Sequence, residues 1–257
     1  MKHNGQGVIF LTDPERFAAQ TNLYLDVRNQ EGRVLTDEQV ARLPEFEPTD
    51  ASLRREWRWR KRSLWRLLRY LSRHHPNKGL NILDLGCGNG WMSVHLAKLP
   101  GVKVWAADVN LPEMEQGVRV AAGAGFKNIQ FVFADILENN LPESHFNLVI
   151  LAASVQYFPD MQALMLVLKR VLKPGGEIHF IDSPFYASEA KRQAARDATR
   201  RYYAHLGVPD MAQFYHHHLW AEIAALGGKN RNVSLLSFLL QKLRWWSPFP
   251  WVVVNGH

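Results

Sequence analysis

The sequence predicts an α/β protein whose strands lie mostly parallel in one central sheet, and three observations predict it. Between about residues 79 and 183, short apolar runs alternate with helical patterns, the signature of parallel βαβ units covered on both faces. A glycine-rich turn, Asp84-Leu85-Gly86-Cys87-Gly88-Asn89-Gly90, joins the first of those runs to the helical pattern after it. Hydrophobic residues make up 47% of the 257, enough to bury one large core.

The elements follow in order. Asp13 caps a helix start, with Pro14 at the first helical position. Thr36 caps a second start, and Gln39 stands where a capping box needs it. Pro44 and Pro48 then break the chain. A long helix is expected over 50–75, with Trp57, Leu64, Leu68 and Leu71 as its buried stripe. Arg54, Arg58, Arg62, Arg66, Arg69 and Arg73 run down another face, and Pro76-Asn77 ends the helix. Strands are expected over 80–85, 102–109, 128–135, 146–153 and 176–182. Helices over 91–99, 111–124 and 160–172 separate them, the last turned by Lys173-Pro174-Gly175-Gly176. Beyond Pro184 come a basic helix over 187–205, a short helix over 219–226, an apolar and aromatic stretch over 233–246, and a closing strand over 250–257.

Composition excludes several classes. Cys87 is the single cysteine, so there is neither an intramolecular disulfide nor a cysteine-rich zinc site, which fits a reducing compartment. Val8–Leu11 is too short for a secretory apolar region, and no window reaches the ~20 apolar residues of a membrane span. A cytoplasmic protein is expected. The formal charge is +7. It is concentrated: nine of the 31 Lys and Arg residues fall between Arg54 and Arg73, opposed there only by Glu56.

The glycine turn lies where a ligand can rest against bare backbone. A dinucleotide fingerprint needs a third glycine at position 91, which is Trp91. A phosphate-binding Walker loop needs a Gly-Lys-Ser/Thr that does not follow. The spacing is G-x-G-x-G, with Asp84 two residues ahead.

ILDLGCGNGW resembles the first motif of the class I S-adenosylmethionine-dependent methyltransferases, especially their type 11 group. Asp108 at the end of the second strand, Asp135 at the end of the third, FNLVILAASVQYF and LKRVLKPGGEIHFID match further motifs in order, over about residues 80–183. The resemblance implies a Rossmann-like, seven-stranded, mostly parallel sheet whose last strand is antiparallel, with PWVVVNGH as that strand. It implies S-adenosyl-L-methionine as cofactor. Asp108 would take the ribose hydroxyls and Asp135 the adenine amino group, with Ile136 packed on the ring. Asp84 and carbonyls after the fourth strand would meet the ammonium. Gly86, Cys87, Gly88, Val109 and Ala152 would complete the cofactor wall. Asn147 departs from the Asp of many members. Ala152-Ala153-Ser154-Val155 stands where members that methylate nucleobase amines carry a DPPY-like loop, which disfavours that chemistry.

Other residues carry open readings. Gln156 and Tyr157 follow the fourth strand and border the methyl-transfer site, either orienting the acceptor or, for Tyr157, shielding the cofactor. Asp182, Ser183 and Tyr186 lie past the fifth strand and are placed to face the acceptor. Cys87 reads as a small filler, since no activating neighbour is evident. His216-His217-His218 on a helix would point in three directions, which disfavours a metal site; an acceptor-pocket base and plain packing are the other readings. No metal site is expected.

The arginine stripe is a solvated face, a surface for an anionic acceptor or RNA, or, with Trp57, Trp59 and Trp65, a contact for an anionic membrane. KLRWW (242–246) repeats that mixture; the family resemblance further implies that part of the 50–75 helix closes over the cofactor. The expected organisation is a helical extension or lid over 1–75 and the methyltransferase domain over 76–257, with 184–248 covering the active site. The expected function is methyl transfer to a small-molecule acceptor at O, N or C. An RNA-directed methyltransferase and a non-catalytic cofactor-binding protein are the alternatives, and the sequence points to no protein partner.

Overall fold

The computed structural model describes residues 2–3, 7–76, 79–232 and 247–256. Strands β1 (Lys2–His3) and β2 (Val8–Phe10) precede the helices α1 (Ala18–Gln30), α2 (Asp37–Ala41) and α3 (Ala51–His74). A 3-10 turn, Pro14–Phe17, leads into α1 with Asp13 as its cap. Thr36 and Gln39 form the capping box of α2, and Asp50 caps α3 through the amides of Ser52 and Leu53. These starts lie where the sequence places them.

The sheet domain continues with β3 (Asn81–Leu85), α4 (Trp91–Leu96), β4 (Lys103–Asp108), α5 (Leu111–Gly123), β5 (Ile129–Phe133), β6 (Phe146–Ala152), α6 (Met161–Val171) and β7 (Leu172–Ile181). After it come β8 (Phe185–Tyr186), α7 (Glu189–His205), β9 (His218–Leu219), α8 (Trp220–Ala225), β10 (Lys229–Asn230) and β11 (Val252–Asn255). The main sheet has the order β1-β2-β5-β4-β3-β6-β7-β11-β10. Pairing is parallel from β2 to β7, and β11 runs antiparallel to both neighbours. The closing strand is thus antiparallel, as expected.

Among the described residues the sheet has nine strands where seven were expected. The unpredicted strands are β10 at one edge and the N-terminal pair at the other, where Val8, Ile9 and Phe10 pair in parallel with Phe131, Val132 and Phe133, so the 1–75 region is not wholly helical. Three residues are too few for a strand period to show in the sequence. Lys173 to Gly176 is likewise no separate turn: β7 begins at Leu172 and absorbs it, with a register irregularity between Phe146 and Leu148.

Helix α3 packs across the middle of the sheet. Leu64, Leu67, Tyr70 and Leu71 are buried against Ile82, Val104, Leu148 and Trp251. The expected stripe is rotated: Leu67 and Tyr70 are buried, while Trp57 and Leu68 are half-buried. Tyr70 donates its hydroxyl to Glu177 at 2.8 Å. Trp251 Nε1 donates to His179 Nδ1 at 3.1 Å, so the His179 Nε2–H points at Glu177, also at 3.1 Å. Asn147 Oδ1 accepts the Asn81 amide at 2.9 Å, so an amide at this strand start makes the backbone contact an acceptor is needed for. The stretch over 233–246, including KLRWW, lies outside the described residues.

Candidate functional site

β3 runs directly into the glycine turn. The amides of Gly86 and Cys87 donate to Ala107 O at 2.8 and 3.2 Å, folding the turn over the end of β4. Gly86 has φ 73°, and a Cβ there would stand 2.4 Å from Ser154 Cβ. At Gly88 (φ 53°) a Cβ would stand 2.9 Å from Glu113 Oε2. Only bare backbone fits at Gly86 against the loop after β6, and the left-handed φ of Gly88 favours glycine. Cys87 is buried, and burial pushes its thiol well up, so it stays protonated and packs.

Acids gather around this turn. Asp108 Oδ2 accepts the Gly88 amide at 2.7 Å, and Oδ1 accepts those of Val109 and Asn110 at 2.7 and 2.9 Å. Burial raises Asp108 against those three bonds. Glu113 follows Asn110 in the first turn of α5, and Asn110 Nδ2 donates to its Oε2 at 3.3 Å. Burial lifts Glu113 to about 7; Arg28 opposes the shift and Asp108 adds to it. Asp135 caps the short turn Ile136–Glu138 by accepting the Leu137 amide at 3.0 Å. Asp84 is 2% exposed and accepts from Ser93 Oγ at 2.6 Å. Burial lifts it to about 6.

A cavity of about 800 Å³ opens over these strand ends. Its wall includes Gly86, Cys87, Gly88, Asp108 and Val109, and on the adjoining strands Asp135, Ile136, Ala152 and Tyr157. Two expected site residues are elsewhere. Asp84 lies beneath the turn, held by Ser93, and does not reach the cavity wall. Gln156 is buried, donating to Ala153 O at 2.6 Å and accepting from Ser183 at 3.4 Å. It lines a second cavity of about 400 Å³, which shares Tyr24, Arg28, Arg60 and Tyr157 with the first, and not the first itself.

The roof comes from the N-terminal helices. Thr21 Oγ1 donates to Val109 O at 3.2 Å, and Arg119 pairs with Asp37 at 2.8 Å. Trp57 meets Trp91 edge-on at 5.3 Å between ring centroids. Arg33 grips Glu56 with two nitrogens at 3.1 and 2.6 Å, and Arg60 reaches Glu56 at 2.7 Å. Those two arginines outweigh burial and hold Glu56 down to about 2. Arg28 donates to the Tyr24 hydroxyl and lies 4.7 Å over the Tyr24 ring.

The residues past β7 turn away from the main cavity. Asp182 (φ 55°) accepts from Ser63 Oγ at 2.7 Å. Ser183 faces Gln156, and Tyr186 packs on His217 at 5.5 Å. The three histidines lie in extended chain and not on a helix, because the 3-10 turn Pro209–Phe214 ends just before them. His216 lines the cavity, and burial lowers its pKa. His217 Nε2 lies 3.0 Å from Thr199 Oγ1, and His218 Nε2 lies 3.3 Å from Val155 O.

The arginine stripe divides. Arg54 reaches Pro48 O at 3.0 Å, and Arg66 stacks over Trp251 at 5.3 Å, while Arg58, Arg69 and Arg73 are exposed. Among the described residues no group of His, Cys, Asp and Glu could hold a metal. No helix of the described residues is long and apolar enough to cross a membrane.

Sequence reasoning passed over Glu113, Tyr24, Arg28 and Arg60. Glu113 had a signal, the Asn-x-x-Glu spacing of a helix start after a strand-end acid. The others belong to no motif.

A family model described as a methyltransferase domain matches residues 76–236. The sterol 24-C-methyltransferase of Gibberella zeae is 29% identical over 99 residues, 38% of this chain and 26% of that protein. The demethylmenaquinone methyltransferase of Listeria monocytogenes is 27% identical over 128 residues, 49% of this chain and 51% of that protein. The chain thus matches about a quarter to a half of the length of these relatives. The geranyl diphosphate C-methyltransferase of Streptomyces coelicolor, solved with Mg2+, geranyl-S-thiolodiphosphate and S-adenosyl-L-homocysteine, superposes with a TM-score of 0.54 at 15% identity, covering 74% of each chain. At that identity the likeness is one of fold.

Proposed function

The chain belongs to the methyltransferase-domain family, of the class I S-adenosylmethionine-dependent type, and from that premise we propose that it transfers a methyl group from S-adenosylmethionine to a small-molecule acceptor. The observation that carries this reading is a single cavity in which the glycine turn, Asp108 and Asp135 face Tyr157 and His216. The residues fit the cofactor on the structure's own terms. The turn leaves room only for backbone at Gly86 and takes a left-handed φ at Gly88, and buried acids at strand ends suit a cationic nucleoside at the crevice of an open sheet.

In this reading Asp108 holds the ribose hydroxyls with the acceptor capacity its three amides leave. Asp135 receives the adenine amino group, and Ile136 covers the ring. Asp84 acts one layer back: it fixes Ser93 and the start of α4 under the turn, and its charge reaches an ammonium without direct contact. Bound there, S-adenosylmethionine supplies an electrophilic methyl on a sulfonium.

Transfer at carbon then needs an acceptor held close and in line. Tyr157, whose hydroxyl burial keeps protonated, bounds the acceptor side. His216, kept neutral by burial, takes the acceptor's proton when that acceptor is a protonated O or N nucleophile. A small acceptor fits a cavity of about 800 Å³ that α1 and residues 211–216 help to line. The names of the sterol and demethylmenaquinone relatives point the same way.

Calorimetry and thermal shift with S-adenosylmethionine and S-adenosylhomocysteine test the reading. Saturable binding with a rise in Tm is expected, and neither heat nor shift with either compound would overturn it.

A further inference from the structure

The first cavity carries acids at the glycine turn, and three arginines line the stretch it shares with the second. At the glycine turn stand Asp108, Glu113 and Asp135. In the second cavity the wall carries Arg28, Arg33 and Arg60 against one acid, Glu31, among the described residues. Tyrosines fill much of the remainder, with Tyr157 edge-on to both Tyr24 and Tyr215 at 5.9 and 6.0 Å.

The three arginines are not equally engaged. Arg33 is committed to Glu56 and to Glu31, the latter at 3.0 Å. Arg60 is committed to Glu56. Arg28 approaches Glu31 only to 3.6 Å, beyond hydrogen-bond range, and otherwise donates to the neutral Tyr24 hydroxyl. Its side chain is 22% exposed, on the wall of both cavities. Glu113 faces Arg28 from the cofactor side, but burial and Asp108 leave it partly protonated near neutrality. Three guanidinium groups against Glu31 and Glu56 leave one positive charge in excess, and Arg28 is the one of the three that makes no hydrogen bond to a carboxylate. A half-buried cation with spare donors, ringed by phenol hydroxyls that burial keeps protonated, is a recognition site for an oxyanion.

We propose that the second cavity binds the anionic end of the methyl acceptor, a carboxylate or phosphate monoester on a small ring-bearing molecule, with Arg28 as its principal anchor and the tyrosine hydroxyls as further donors. Its place as the acceptor's anchor rests on the reading of the main cavity as the cofactor site. The cavity's volume, about 400 Å³, is near the lower end of small-molecule pockets. The tyrosine rings give the acceptor's ring flat partners. An anion drawn to this end leaves its far end directed at the acid-lined cofactor end, so the two charges orient the acceptor along the cavity.

The test is calorimetry on the full chain, with and without S-adenosylhomocysteine, using monocyclic carboxylates and phosphate monoesters, each paired with its neutral amide or alcohol. Benzoate against benzamide and phenyl phosphate against phenol come first. The anion of at least one pair binds ten-fold or more tighter than its neutral partner. Arg28→Gln removes that advantage and Arg28→Lys retains part of it. A retained Tm rise with S-adenosylhomocysteine shows that the variants are folded. Equal binding of both partners, no binding by any anion of the panel, or an anion preference that survives Arg28→Gln would overturn the proposal. The cofactor reading fails separately, through absence of S-adenosylhomocysteine binding in the unmodified protein, while the anion preference is still measured without it.

Discussion

Ser63, in the middle of α3, donates its hydroxyl to Asp182 at 2.7 Å, tying the N-terminal helix to the carboxyl end of β7. Asp182 sits at φ 55°, in the left-handed region. Asn tolerates that backbone and keeps an acceptor for Ser63, whereas a β-branched residue does neither. Asp182→Asn is expected to cost under about 1 kcal/mol and Asp182→Val about 2–4 kcal/mol, from lost hydrogen bonding plus backbone strain. Urea denaturation of the two variants measures the difference, and equal midpoints would show that Asp182 anchors nothing.

Asp108 serves both the fold and the cofactor. Asp108→Ala is expected to weaken S-adenosylmethionine binding by about 1–3 kcal/mol, the worth of hydrogen bonds to a charged group. It also releases the amides of Gly88, Val109 and Asn110, so the ligand-free protein loses stability as well. Calorimetry and denaturation run on one preparation separate the two effects. A variant with native affinity would remove Asp108 from the cofactor site.

Glu113 makes cofactor binding pH-dependent. Its folded pKa is raised to about 7, so near neutrality the ligand-free protein holds a proton there that a cation in the cavity displaces. Binding therefore releases a proton, and affinity falls as pH drops below about 7, by at most ten-fold per unit. Glu113→Gln flattens the profile. Titrations in two buffers of different ionisation enthalpy read the proton directly, and identical heats in both would contradict the linkage.

His216 sets the acid limb of turnover. Burial lowers its pKa from 6.5, so the neutral imidazole persists below that value and the kcat profile falls only at more acid pH. His216→Asn is expected to lower kcat about 10²-fold or more and to abolish that limb, with S-adenosylhomocysteine affinity retained. A variant of native kcat and unchanged profile would exclude the histidine as base.

Glu177 governs acid stability on the other side of the molecule. Burial raises it, but the bonds from His179 and Tyr70 outweigh burial and hold it at about 2. A carboxyl depressed from 4.5 stabilises the fold fully above that pH, and the contribution is lost as pH falls toward 2. Glu177→Gln is expected to be less stable at neutral pH, with the gap to the native protein closing between those values. Thermal melts across that range check it.

The cofactor side of the site was legible in the sequence because local chemistry dictates it. A glycine turn between strand and helix, and acids at the next two strand ends, are contiguous motifs that the sheet then brings together. Asp84 was legible as a residue but not as a position, since only packing buries it against Ser93 and off the cavity wall. The acceptor side was hidden for a different reason. Tyr24, Arg28 and Arg60 come from two helices whose inner faces meet a polar cavity, so no apolar stripe marks them. His216 was misplaced on a helix because its neighbours suggest one, while the Gln156 carbonyl draws its amide, at 2.6 Å, into extended chain.

The short strand β2 has a consequence beyond extending the sheet. Without it, β5 would present a row of unsatisfied amides and carbonyls along Phe131 to Phe133, a template on which a second molecule could add a strand. Shortening the chain to begin after Leu11 is therefore expected to provoke self-association through that margin, seen as a shift of the size-exclusion peak to higher mass relative to the full chain. Those few leading residues act as a built-in seal against aggregation.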